Sequence, residues 1–318
     1  MRNQIQLNQT TVRKDVRISG VGLHSGSAAS IVIKPALPNT GILFVRQDLP
    51  EPMVIPALFD FVTQTRLATT LGRDGVSIST VEHLLCALKL VGIDNAMIEV
   101  DGPEVPIMDG SAEPFCAAIL EAGIYVQNAS KKVAVLKRRV EIRKGDKVAM
   151  IEPSHRSTPQ LRIQAKIEWS HPAIGVQEFT YILGKSETSE ISRARTFGFM
   201  KDAEALQKAG LALGGSLDNA VIMDEEKVLN PDGLRYADEF VRHKVLDAVG
   251  DFALAPLSIL GDVTLVKAGH ELHAELMQAV FSDPTCYEVT TLAELMTPAP
   301  TLADMTANWF TETLQNSY

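Results

Sequence analysis

The sequence predicts an α+β protein made of two similar units, each a mainly antiparallel sheet layered against helices. Three observations carry this. The chain has 318 residues, about two domains' worth at ~150 residues each. Its hydrophobic period changes from alternating to helical once in each half. The order strands, helix, strand, helix occurs twice without obvious sequence identity between the halves, which suits helices covering one face of a sheet.

Taken in order, Val12 to Ile18, Ala29 to Ile33 and Gly41 to Val45 are short β-branched or apolar runs separated by Gly, Pro and Asn, and read as strands. From Ser79 the period becomes helical: Val81, Leu84, Leu85, Leu88 and Val91 share a face, and Gly92 stops the run. A strand at Ala96 to Val100, a Gly/Pro-rich loop (DGPEVPIMDGS) and a helix from Ala112 to about Ala122, ended by Gly123, complete a first unit over residues 1–127. The polar stretch Gln127 to Lys132 reads as a linker. The second unit, 132–297, opens with strands at Val133 to Leu136, Val140 to Arg143, Val148 to Glu152, Leu161 to Ile167 and Glu178 to Leu183. A helix (Glu239 to Leu254), a strand (Val263 to Val266) and a helix (about Glu271 to Phe281) follow, and 298–318 is a tail with no sign of chemistry.

Composition narrows the function. Thirty Lys and Arg against thirty-nine Asp and Glu give a net charge of −9, so general attraction to nucleic acid is not expected. No stretch without a charged residue reaches the ~20 apolar residues of a spanning helix, and Pro35 to Val45, eleven residues long, is in addition broken by Pro and Gly, so no transmembrane segment is expected. The start MRNQIQLNQTTVRKD lacks an apolar secretory segment, and a cytoplasmic location is expected. Cys86, Cys116 and Cys286 lie far apart with no CxxC pair and read as reduced, the first two as core residues.

The sharpest candidate for chemistry is Phe240 to Asp251. At ~100° per residue His243, Asp247 and Asp251 fall on one wedge, opposite Val241, Val245, Ala248, Val249 and Phe252. A His and an Asp four apart can both reach one metal ion; the same spacing also suits a surface His–Asp pair. Near the start of the first unit's helix stand Glu82 and His83. Ser79-x-x-Glu82 has the form of a capping box, while a carboxylate beside a third ligand is well placed to take a proton from activated water. His270 opens the last helix, either as helix-end decoration or as a general acid or cation that Asp251 holds charged. His273 and Glu275 read as that helix's exposed face. The string HELH lacks the H-E-x-x-H spacing, and Gly20 to Gly26 lacks both the dinucleotide-loop spacing and a following helix, which leaves a tight turn presenting His24 or backbone amides. Serine-hydrolase and P-loop strings are absent.

Seven strings together carry a resemblance: GVGLHSG (20–26), STVEHLLCAL (79–88), EVPIMDGSAEPF (104–115), SRARTFGFM (192–200), LGGSLDNA (213–220), DEFVRHKVLDAVGD (238–251) and GHEL (269–272). From about residue 10 to 285 the chain resembles the UDP-3-O-acyl-N-acetylglucosamine deacetylase family, zinc amidases of lipid A biosynthesis. The resemblance implies two layered α+β domains with the active site between them. It implies Zn²⁺ held by His83, His243 and Asp247, Glu82 as general base, His270 as electrostatic or acid partner, and Asp251 behind it. It further implies Thr196 as oxyanion contact, Lys244 as substrate contact, and an acyl passage that Phe197, Leu217 and Ile222 help to line. Ala203 and Ala212 stand where relatives often carry larger apolar residues. Lys267, with Lys244, flanks the expected site and suits a pyrophosphate.

The expected activity is zinc-dependent hydrolysis of the N-acetyl group of a UDP-linked acylated amino sugar, by a monomer, in a Gram-negative cytoplasm. Two other readings stay open: a zinc amidase for another N-acyl sugar or amide, and a non-enzymatic module whose structural metal is closed by a fourth ligand, with Cys86 the nearest candidate.

Overall fold

The computed structural model describes residues 6–156 and 160–297; the tail 298–318 lies outside them. The fold is α+β, as the sequence predicts. The first sheet has strand order Val16–Val21, Ala28–Pro35, Ala96–Asp101, Ile42–Arg46, Met53–Pro56. All its pairs are antiparallel except Ile42–Arg46 with Ala96–Asp101. The second sheet repeats this pattern. Val140–Lys144 and Lys147–Glu152 form a hairpin, Ser258–Val266 lies antiparallel to the hairpin and parallel to Leu161–Glu168, and Val176–Ile182 closes the far side. Lys132–Leu136 and Tyr287–Thr291 extend this sheet further.

Helices enter at matching places. α1 (Glu82–Val91) precedes and α2 (Glu113–Ala122) follows the central strand of the first sheet. α3 (Ser189–Ser192) and α4 (Met200–Lys208) belong to an insertion in the second unit, while α5 (Glu239–Phe252) precedes and α6 (His270–Phe281) follows its central strand. Each sheet turns one face to these helices: burial alternates along Ala28–Pro35 in the first and Ser258–Val266 in the second, as a strand's two-residue side-chain period requires. α1 packs along α5, so the helices form the inner layers. Of the 14 residues of α5, 12 are buried, and its polar side chains must therefore find partners inside the protein.

In each unit an insertion separates a sheet strand, Met53–Pro56 or Val176–Ile182, from the helix that precedes the central strand, α1 or α5. In the first unit it is a small sheet of Val62–Gln64, Thr70–Arg73 and Val76–Ile78, none of which the sequence pattern revealed. In the second it includes α3, α4 and the parallel pair Phe197–Phe199 and Val221–Met223.

Three local expectations are corrected. Val12 to Ile18 is not one strand: the exposed Arg13-Lys14-Asp15 turn separates Asn8–Val12 from Val16–Val21, which join different sheets. The expected linker is strand for most of its length, because Ile124–Ser130 pairs with Asn8–Val12 and Gln127 is buried, bonded to Asn95 and to the Ala36 carbonyl. Ser79 caps no helix. Thr80 takes a left-handed backbone (φ 60°), the Ser79 amide donates to Pro103 O, and Glu82 turns its carboxylate elsewhere. A true capping box occurs at Thr291 and Glu294, at the start of α7 (Leu292–Met296).

Candidate active site

The approach of α1 to α5 brings the candidate residues together. A Cβ on Gly250 would lie 2.1 Å from the Glu82 carbonyl oxygen, so only glycine lets α5 come this close to the first turn of α1. That contact brings Glu82 and His83 from one unit beside His243 and Asp247 from the other.

His83, His243 and Asp247 offer ligand atoms that all lie within 4.8 Å of one another, and all three residues are buried. Asp247 Oδ1 is 3.6 Å from His83 Nε2 and 3.3 Å from His243 Nε2, with no hydrogen-bond partner among the described residues. His243 Nδ1 lies 3.0 Å from the Ala194 carbonyl. A carbonyl only accepts, so Nδ1 carries the hydrogen and Nε2 presents a lone pair. Burial lowers the His243 pKa to about 3, which keeps the ring neutral as a ligand requires. Burial also works to raise the Asp247 pKa, but neighbouring positive charge, the Lys244 ammonium 2.8 Å from Oδ2 and the His270 cation, holds it well below the usual range. Facing lone pairs around an unpartnered carboxylate oxygen fit a cation, and these residues can hold a metal ion.

An acid–base group adjoins them. Glu82 is buried and its pKa raised, chiefly by loss of solvent, which strengthens it as a base. Its Oε2 accepts from the Thr69 amide at 3.1 Å, and its Oε1 lies 3.9 Å from His270 Nε2. Burial alone would lower the His270 pKa. The Asp251 carboxylate, 2.7 Å from His270 Nδ1, outweighs it and brings the pKa to about 9, so the ring is cationic at neutral pH. His273, expected on an exposed face, is 1% exposed, because its Nδ1 reaches the same Asp251 oxygen at 2.8 Å and its ring packs edge-on to Phe252.

A cavity of about 330 Å³ opens over these groups. Glu82, His83, Thr196, Phe197, His243, Lys244, Asp247 and His270 all line it. Thr196 is aligned by its backbone, whose amide donates to Gly110 O at 2.8 Å, while neighbouring Arg195 is locked to the fully buried Glu239 at 2.9 Å. Phe197 stands edge-on to Phe240 and Trp169, and the Lys244 ammonium lies 5.4 Å above its ring. Four expected residues lie away from the wall. Asp251 sits behind His270, and Leu217 and Ile222 belong to the insertion. Lys267 Nζ is engaged by Asp146 and Glu168, at 2.9 Å each. Lys147, at the hairpin tip nearby, lines the cavity instead. Cys86 is a buried free thiol outside the metal-ligand group. In the turn at Gly22 to Gly26 the amides of His24 and Ser25 are taken by the Glu104 carboxylate, and those of Gly22 and Gly26 by backbone carbonyls.

Sequence reasoning missed Thr69, Leu67, Lys147, Trp169 and Gly250. None carries a periodic signal; Gly250 alone could have been noticed, as a glycine inside a strongly helical run.

Two His and a carboxylate able to hold a metal, with a buried carboxyl group and a cationic imidazole at their edge and two sheet-and-helix units around them, are the side-chain set that a hydrolase acting with a metal ion would use. Comparison with known proteins narrows the class. Residues 9–282 match the family model for UDP-3-O-acyl N-acetylglycosamine deacetylase. Curated proteins named UDP-3-O-acyl-N-acetylglucosamine deacetylase from Myxococcus xanthus, Pasteurella multocida and Haemophilus influenzae are similar throughout. The first is 51% identical over 283 residues (89% of this chain, 89% of the relative). The second is 47% identical over 289 residues (90% and 93%), and the third 47% over 292 (91% and 94%). The chain belongs to this deacetylase family.

Proposed function

We propose that this chain hydrolyses the acetamide of a UDP-linked 3-O-acyl-N-acetylglucosamine, releasing acetate and leaving the free amine, as a step of lipid A biosynthesis. The observation that carries the reading is the convergence of a base, an acid and three metal-ligating side chains from both units on one cavity. A UDP-linked substrate points to the cytoplasm as the place of reaction; no helix among the described residues is long and apolar enough to cross a membrane.

The ion we assign to His83, His243 and Asp247 is Zn²⁺, whose Lewis acidity activates water near neutral pH and polarises an amide carbonyl. Glu82 takes the proton of the attacking water as its oxygen bonds to the acetyl carbon. Thr196, which lines the cavity, supplies its hydroxyl to the negative charge that develops on the carbonyl oxygen, a contact worth ~3 kcal/mol in comparable sites. The C–N bond then breaks as the cationic His270 gives its Nε2 proton to the leaving nitrogen. Asp251 steadies the charge of His270 through Nδ1 and keeps Nε2 directed into the cavity. Lys244, with Lys147 at the rim, offers cations to the pyrophosphate, and Phe197 begins an apolar wall that the insertion with Leu217 and Ile222 continues.

The test is acetate release from a UDP-3-O-acyl-GlcNAc by the purified protein, as prepared, after chelation, and after return of one equivalent of zinc. We expect release that vanishes and returns with the metal. Equal rates on substrates lacking the acyl chain or the UDP group would favour an amidase of other specificity.

A further inference from the structure

We infer that Thr69 is a positioning residue that fixes the general base of one unit against the acid of the other. The inference rests on the proposed roles of Glu82 and His270. Thr69 is 2% exposed, lies in the first unit's insertion just before Thr70–Arg73, and does not line the cavity, so it acts only through other residues. It holds the start of α1 at two points: its amide donates to Glu82 Oε2 at 3.1 Å and its carbonyl accepts from Val81 N at 3.4 Å. Its hydroxyl crosses to the other unit and donates to Asp251 Oδ1 at 2.6 Å. The hydroxyl oxygen itself, Thr69 Oγ1, lies 3.2 Å from His270 Nδ1.

Asp251 is thereby held on both oxygens. Oδ1 receives the Thr69 hydroxyl, and Oδ2 receives the Nδ1 hydrogens of His270 and His273. A carboxylate with all these donors in place cannot rotate without leaving one of them unpaired in a buried setting. One residue therefore sets both carboxylates, and through Asp251 the direction of the His270 ring. The neighbouring Leu67 has a left-handed backbone (φ 66°), a costly conformation for a leucine, and the segment holds it where the chain turns towards Thr69.

The test is Thr69→Val, which keeps the backbone contacts and the shape but removes the hydroxyl. We expect kcat to fall on the order of 10- to 100-fold, with KM and metal content unchanged. Thr69→Ser should restore kcat to within a few-fold. In an Asp251→Asn background Thr69→Val should add little, because the hydroxyl works through that carboxylate. Should the valine variant not fold, Thr69→Ala takes its place; wild-type kcat in either folded variant overturns the inference. A readout without turnover separates this from failure of the proposed function. The downfield proton resonance of His270 Nδ1–H, assigned by its loss in His270→Gln, should move in the valine variant. If the wild type releases no acetate, the function assigned above fails, and an unmoved resonance still overturns the role of Thr69.

Discussion

In the N-terminal unit the site-facing polar residues of the inner helix stand in its first turn, at Glu82 and His83; in the C-terminal unit they run along α5 from its second turn to its last, at His243, Asp247 and Asp251. Five strands of each sheet share one order and one parallel pair at the central strand, and in the C-terminal unit Lys132–Leu136 adds a second parallel neighbour to that strand. The inserted segments differ more. One holds Thr69 against both helices, and the other supplies Phe197 and an exposed apolar surface including Leu213 and Leu217. A repeated scaffold thus leaves function to helix position and insertion. Because the proposed ligands divide one against two, neither unit holds that group alone.

The largest expected effect tests that division. His83→Ala should abolish tight zinc binding and bring turnover to background, as Asp247→Ala should from the other unit, read by metal analysis and acetate release. A His83→Ala protein with full metal content and rate would show that the C-terminal unit suffices, and would end the comparison. Next in size, Glu82→Gln should cost about 10²- to 10⁴-fold in kcat while metal content stays. Loss of zinc along with the rate would instead make Glu82 a ligand.

Gly250→Ala sharpens the comparison at the seam. Its methyl group meets the Glu82 carbonyl, so we expect about 1–3 kcal/mol of destabilisation and weaker metal retention. Gly198→Ala, where a Cβ meets nothing within 4 Å, should be near neutral in melting temperature. At the other end of α1 the seam is held differently: Lys89 Nζ donates to Ser258 Oγ at 2.6 Å. Burial lowers the Lys89 pKa to about 8, with Asp94 opposing and Lys131 adding to it. An unfolded lysine binds protons up to a higher pH, so stability from this group is diminished below about 8 and recovers as pH rises towards 10.5. Relative to wild type, Lys89→Met should therefore be favoured most at pH 7, by about 1–2 kcal/mol, and the advantage should shrink by pH 10. Denaturant midpoints at the two pH values measure it. Smallest of all, Lys267→Ala should change kcat/KM little, since it lies off the cavity wall and is held by Asp146 and Glu168, whereas Lys244→Ala, on the wall, should raise KM.

Much of the site was legible because its signals are local. The i, i+4 pair His243 and Asp247, the Glu82–His83 dipeptide and His270 beside a glycine each mark a helix position within a few residues. Helices and strands with clear periods were legible for the same reason, and the order of elements disclosed the repeat. What failed had competing local signals. Glu82 fits a capping box until Thr80 turns the backbone, His273 looks solvent-facing until Asp251 is seen to hold it, and Lys267 looks available until two carboxylates claim it. The sequence by itself determined the α+β class, the helices that carry chemistry and the residue types able to bind a metal, since these follow from period and spacing along one chain. Only the tertiary structure decided which groups meet: the absent side chain of Gly250 and the hydroxyl of Thr69 act across two distant segments, and no local pattern encodes that approach.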